Sequence, residues 1–245
     1  MKKTAYINEQ IKKFNKKIYI PGDKSLSIRW VLLASQAIGK SSAYNLLRSE
    51  DVLSALNAIK KLGINYKINK DYCEIYGKGL QGFKFKNNTV INAGNSGTLA
   101  RLMFGLLINA KNEIILKGDK SLSKRDFQRI IKPMEIFGQN IKSRNNKLPL
   151  KIKGTNYARP INYFESKGSA QVKSSILFAA MKTPGVTKIK CIPSRDHTEK
   201  LFKYLNLPIK INRKKNLEII SYKGIKNYKG FNYSIPGDIS SSSFF

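Results

Sequence analysis

Residues 20–29, I-P-G-D-K-S-L-S-I-R, bring a strand end, a Pro-Gly turn and three anion-handling side chains, Lys24, Ser25 and Arg29, into one short stretch. Upstream, Ile18, Tyr19 and Ile20 read as a strand. Downstream of Asp23, the residues Leu26, Trp30, Leu33, Ala34 and Ala37 recur at helical spacing. The stretch therefore marks a strand turning into a helix, with Ser25 as the expected N-cap and Arg29 four positions on along the same face. Free N–H groups and the helix dipole make such a start favourable for an anion. Taken alone, these residues fit an ordinary capped surface helix with solvated cations at least as well.

Working outward, the pattern recurs at intervals of roughly seventy residues. Apolar helices are expected after Lys24, after Asn95 (G-T-L-A-R-L-M-F-G-L-L-I-N-A) and after Gly168 (S-A-Q-V-K-S-S-I-L-F-A-A-M-K). Each is followed by a short strand, at Ser42–Leu47, Glu113–Lys117 and Val186–Ile192. A second, amphipathic helix then opens near a Ser and an Asp, from Ser49, Ser123 and Ser194, with Asp51, Asp126 and Asp196 in equivalent places. Gly63, Gly138 and Asn206 are the expected helix stops. Two hairpin strands close each unit. Pro133 is the one local misfit and is expected to bend its helix. The chain thus reads as three copies of β-α-β-α-β-β, an α/β (α+β) fold with apolar helices inside and sheets outside. The final residues 235–245, I-P-G-D-I-S-S-S-S-F-F, repeat the opening. A helix that stops after its first turn buries no face, so the chain is expected to be cut at the start of a further unit.

A chain of 245 residues with 41% hydrophobic and 10% aromatic content has the composition of a globular protein. No apolar run approaches the ~20 residues of a membrane span, and the basic opening M-K-K-T-A-Y lacks the apolar segment of a signal peptide. Cys73 and Cys191 stand far apart without metal-type spacing, as expected of reduced, buried thiols in a cytoplasmic protein. The net charge of +31 comes from 46 Lys and Arg against 15 Asp and Glu. Lys far outnumbers Arg and is scattered through every segment beside abundant Asn, Ile and Tyr, which fits a bias toward A- and T-rich codons better than a nucleic-acid footprint. The positive field still attracts small anions.

Seven blocks, in order, resemble the enolpyruvyl transferases, on the shikimate 3-phosphate branch of that family. They are P-G-D-K-S-L-S-I-R, G-N-S-G-T-L-A-R-L-M, G-D-K-S-L-S-K-R, L-P-L-K-I-K-G, S-A-Q-V-K-S-S-I-L, S-R-D-H-T-E and P-G-D-I-S-S-S-S-F-F. The resemblance implies an inverse α/β barrel fold of two similar domains, each of three such units, with the active site in the cleft between them. On that reading residues 1–19 belong with a second domain. Residues 20–234 form one domain in units of about 20–90, 91–163 and 164–234, and residues 235–245 begin the second domain.

The resemblance implies transfer of the enolpyruvyl group from phosphoenolpyruvate to shikimate 3-phosphate, giving 5-enolpyruvylshikimate 3-phosphate and phosphate, in the shikimate pathway to aromatic amino acids. It implies shikimate 3-phosphate contacts from Lys24, Ser25, Arg29, Ser169, Ala170, Gln171 and Arg195. It implies phosphoenolpyruvate contacts from Lys24, Asn95, Gly97, Arg125 and Gln171, with Ser96 and Thr98 in the same turn. Lys24 is the catalytic residue expected here; the acid–base Asp and Glu are expected beyond Phe245, so turnover is not expected of these residues alone. Ser96 stands where many members carry Ala. Asp126 replaces the usual proline and is expected to pair with Arg125 and weaken its grip. Lys173 is expected to stand behind the site as a further cation, and His197, the only histidine, to cap or pack rather than act as base. No metal or organic cofactor is implied. The partners are the two small substrates, without nucleic acid or membrane, and the complete protein is expected to be a monomer in the cytoplasm. The main rival is the sister transferase acting on UDP-N-acetylglucosamine, which carries Lys-Asn in place of Lys24-Ser25 and a catalytic Cys loop that the second unit here lacks. A basic, non-catalytic binding protein sharing the fold is the rival from another class.

Overall fold

The repeats build three four-stranded sheets with two helices to each, and all three sheets share one connection pattern. The computed structural model describes residues 13, 15 and 17–242. The first elements are α1 (Lys24–Gln36), β1 (Ile38–Tyr44), α2 (Glu50–Lys61), β2 (Asn65–Asn69) and β3 (Tyr72–Lys78). Next come β4 (Thr89–Asn92), α3 (Gly97–Leu106), β5 (Ile114–Lys117), a 3₁₀ turn (Leu122–Lys124), α4 (Gln128–Ile136), β6 (Asn140–Arg144) and β7 (Lys147–Lys153). The third set is β8 (Asn162–Glu165), α5 (Ala170–Met181), β9 (Val186–Cys191), α6 (His197–Tyr204), β10 (Ile209–Lys214) and β11 (Leu217–Lys223). β12 (Asn232–Ser234) and the short α7 (Ile239–Ser242) follow.

Two sheets run β4-β5-β7-β6 and β8-β9-β11-β10, each with its first pair parallel and the rest antiparallel. The first sheet repeats the pattern as β12-β1-β3-β2. The strand expected at Ile18–Ile20 is therefore not formed. The place beside β1 is taken by β12 from the far end of the chain, with Ser42 opposite Asn232. A strand needs a ladder partner for its backbone groups, and the parallel edge of β1 is already filled. The opening stretch instead touches its own copy: Asp23 N–H donates to Pro236 O and Asp238 N–H to Pro21 O, both at 2.9 Å. Most of the segment 1–19 expected to join a second domain, and residues 243–245, lie outside the described residues.

The apolar helices α1, α3 and α5 sit inside. Every residue from Leu26 to Gln36 and from Val172 to Met181 is buried, as a helix surrounded on all sides requires. α2 buries only a stripe, Val52, Ala55, Leu56, Ala58 and Ile59, and leaves its basic end in water. Strands show the matching alternation, β7 burying Leu148, Leu150 and Ile152. α3 and α5 cross closely at Gly105, where a Cβ would lie 2.0 Å from Ser175 O; only glycine fits there.

The expected stops hold, with Gly63, Gly138 and Asn206 all at positive φ. Two expected helix starts shift. The N-cap of α1 is Asp23, whose side chain accepts from Leu26 N–H at 2.7 Å, and not Ser25. A carboxylate two residues before the hydroxyl prevails because it satisfies a free N–H of the first turn and favours the positive end of the dipole. The segment from Ser123 forms a 3₁₀ turn first, and α4 begins only at Gln128 and continues through Pro133. Cys73 and Cys191 are free and buried, their thiols pushed up by burial to about 12 and about 11. Among the described residues no helix is long and apolar enough to cross a membrane.

Candidate anion site at the starts of the inner helices

Three inner helices begin at one end of the domain, and hydrogen bonds tie their starts together. Gln171, in the first turn of α5, donates from Nε2 to Thr98 Oγ1 in the first turn of α3 at 3.0 Å. Arg29 on α1 donates from Nη2 to Ser174 Oγ on α5 at 3.0 Å. Of the residues expected from sequence, Lys24 opens α1 half-exposed, its Nζ 3.1 Å from Asp51 Oδ2 at the start of α2. Ser25 is partly buried and offers its carbonyl to Arg29 Nη1 at 3.0 Å. Ser169 caps α5, accepting from Val172 N–H, while its own N–H donates to the buried Glu165 at 2.7 Å. Ala170 and Gln171 follow in the same turn. Arg195 is exposed, and its charge acts on both Arg29 and His197.

The phosphoenolpyruvate half of the expected set gathers around Gly97. Asn95 is exposed and donates to Asp119 at 2.6 Å. A Cβ on Gly97 would lie 2.7 Å from Arg101 Nη1 and 3.0 Å from Arg125 Nη1, so two guanidinium groups flank one glycine. Burial, then the charges of Arg125 and Arg129, hold Arg101 below its ordinary range. Among the described residues none of Arg101, Arg125 and Arg129 pairs with a carboxylate. Asp119, whose pKa the Asn95 bond and the Arg125 charge help to lower, is the carboxylate that acts on this group from beyond ion-pair distance, and like charges at a helix start favour an anion there. Arg101 and Arg129 were not picked out from the sequence, although Arg101 lies four positions after Gly97 on the same helix face and hydrogen-bonds its carbonyl.

Two expectations change. Asp126 does not pair with Arg125; its Oδ1 accepts from Gln128 N–H at 2.5 Å and starts α4, leaving Arg125 free. Lys173 does not stand behind the site. Two positions past Gln171 the helix has turned it to the far side, where it is 1% exposed between Glu199 (2.6 Å) and Glu218 (3.5 Å). His197 opens α6, half-buried. Burial first, then the charges of Arg29 and Arg195, lower its pKa and keep it neutral. The cap position is Asp196, so capping does not fall to His197. Among the described residues no cluster of His, Cys, Asp and Glu is placed to hold a metal ion.

Fold and site together define an α/β domain of three repeated units that collects hydroxyl, amide and guanidinium donors where its inner helices begin. The family model for EPSP synthase (3-phosphoshikimate 1-carboxyvinyltransferase) matches residues 8–245. A 3-phosphoshikimate 1-carboxyvinyltransferase of Ruthia magnifica is 43% identical over 92% of this chain and 51% of its own length. That of Endomicrobium trichonymphae is 38% identical over all of this chain and 55% of its own. A solved structure of EPSP synthase from Acinetobacter baumannii superposes with a TM-score of 0.85 at 34% identity, over 94% of this chain and 51% of that one. The chain belongs to the EPSP synthase family, and it spans about half the length of the curated relatives it matches.

Proposed function

We propose that the chain carries the shikimate 3-phosphate side of an EPSP synthase active site and acts in transfer of the enolpyruvyl group from phosphoenolpyruvate to that substrate. The observation that carries this reading is the convergence of three linked helix starts with guanidinium groups, Arg29, Arg101 and Arg125, that make no ion pair among the described residues. Shikimate 3-phosphate and phosphoenolpyruvate both bear phosphate and carboxylate groups, and their approach is opposed by charge until cations screen it. Lys24 is a mobile point charge suited to the contact between the two substrates, whereas Arg29, Arg125 and Arg101 offer planar forks to carboxylate or phosphate. Ser169 and Gln171 supply neutral donors that read geometry without adding charge. In the reaction a ring hydroxyl of shikimate 3-phosphate gives its proton to a base and its oxygen bonds to the central enol carbon, while the methylene carbon takes a proton from an acid. The carbon–oxygen bond to phosphate then breaks and the methyl group returns the proton. The acid–base carboxylates implied by the resemblance fall outside residues 1–245, so a polypeptide of these residues is expected to bind without turnover.

Calorimetry with shikimate 3-phosphate tests this. Saturable one-to-one binding that Lys24→Met weakens supports the reading. Absence of such binding, together with salt-sensitive retention on DNA that shikimate 3-phosphate leaves unchanged, would overturn it in favour of a basic binding protein.

A further inference from the structure

We propose that Thr198, with Ser174 behind it, is a positioning residue for this site: its hydroxyl holds the Arg29 guanidinium in the orientation that receives an anionic group of shikimate 3-phosphate. The inference rests on the function proposed above and extends it to residues outside the expected set.

Arg29 is 2% exposed. Burial lowers its pKa to about 10, with Glu199 and Asp23 opposing at longer range and Arg195 adding to the lowering. A buried cation is ordinarily matched by a carboxylate, yet no carboxylate lies within ion-pair distance among the described residues. Its three hydrogen-bond partners are neutral oxygens: Thr198 Oγ1 from Nε at 2.8 Å, Ser174 Oγ from Nη2 at 3.0 Å and Ser25 O from Nη1 at 3.0 Å. Neutral partners fix direction without cancelling charge, and two of the five guanidinium N–H groups are not taken by these three partners.

The hydroxyl protons are arranged as a chain of bonds. Since Thr198 accepts from Arg29, its own proton goes to Ser174 Oγ at 2.7 Å, and the Ser174 proton goes to Ala170 O at 2.6 Å. The chain of bonds thus runs from Arg29 to the first turn of α5, where Ser169, Ala170 and Gln171 sit. Thr198 and Ser174 are 0% and 1% exposed, so water does not replace either hydroxyl. Thr198 is the second residue of α6, and through it a third helix start sets the angle of the Arg29 fork.

Thr198→Val keeps the shape and removes the hydroxyl; Thr198→Ser keeps the hydroxyl. Titration of the purified chain with shikimate 3-phosphate is expected to show about tenfold weaker binding for the valine variant and recovery to within about threefold for the serine variant. The Nε–H signal of Arg29 in a ¹H–¹⁵N spectrum, assigned with Arg29→Lys, is expected to be slowly exchanging in the parent and in Thr198→Ser and lost in Thr198→Val. Unchanged affinity in the valine variant, or an unchanged Nε–H signal, would overturn the proposal. If that variant does not fold, Ser174→Ala removes the acceptor of Arg29 Nη2 and the support behind Thr198; weaker binding then supports the proposal and unchanged affinity overturns it. A parent chain that binds no shikimate 3-phosphate counts against the proposed function, whereas the Nε–H signal judges the positioning of Arg29 separately.

Discussion

Two groups of cations lie close to the start of α5 and are treated in opposite ways. Lys173 is sealed between Glu199 and Glu218, and the outer oxygen of Glu218 is taken by Arg213 Nε at 2.7 Å. Arg101 and Arg125 flank Gly97, the charge of Arg129 acts on Arg101, and none of the three is in an ion pair with a carboxylate among the described residues. The first arrangement is electrically complete and joins α5, α6 and β11. The second is incomplete and open to solvent. Both hold cations within one fold, so positive charge alone does not separate the two groups; the presence or absence of paired carboxylates does. Arg29 stands between the two, buried like Lys173 but partnered only by neutral oxygens.

The largest effect is expected from breaking the complete cluster. Lys173→Met leaves Glu199 buried without a cation and Glu218 with Arg213 alone, and should cost about 3–5 kcal/mol in urea unfolding. Glu199 is the member that burial already pushes toward protonation, against the opposing pull of Lys173. The loss should therefore shrink as pH falls, since a carboxyl with a raised folded pKa takes up its proton on folding. A loss independent of pH would place the cost in packing.

Removing a member of the incomplete cluster should do the reverse. Arg125→Ala is exposed and pairs with nothing, so thermal unfolding should stay within about 2 °C. Phosphoenolpyruvate binding, measured in the presence of shikimate 3-phosphate, should weaken by about 1.5–3 kcal/mol, the scale of a charged hydrogen bond. A stability loss with unchanged affinity would mean the cluster is structural after all. Thr98→Val, which removes the link to Gln171, should give a smaller change of about 1 kcal/mol in unfolding.

The smallest effect belongs to a solvent-facing group. Glu74 accepts from Tyr72, Tyr76 and Lys40, and these bonds, Tyr76 first, lower its pKa to about 2. Its folded value lies below its unfolded one, so its contribution is present above about pH 4.5 and is lost as pH falls toward 2. The difference in unfolding midpoint between the parent and Glu74→Gln should close over that window; a constant difference would assign the effect to shape.

Much of the architecture was readable in one dimension because it is repeated. Gly63, Gly138 and Asn206 stop helices through their own backbone preferences, and alternation in the hairpins sets which face is buried. The positions of Lys24, Asn95 and Ser169 at helix starts were legible for the same local reason. What was misread involves partners far along the chain. Ile18–Ile20 and Asn232–Ser234 precede near-identical I-P-G-D turns, and nothing local says which one pairs with β1; the ring of sheets closes with the second. Lys173 follows Gln171 by two residues, yet helical rotation and two carboxylates from α6 and β11 take it out of the site.

Residue order alone settles the class of fold, the three-unit repeat and the helix starts that hold donors, because turns, caps and periodicity act over a few residues. The folded arrangement settles which cations keep their charge available, because compensation is a matter of distance between residues that lie far apart in the chain. Glu218 neutralises Lys173 across forty-five positions, and Thr198 aims Arg29 across one hundred and sixty-nine.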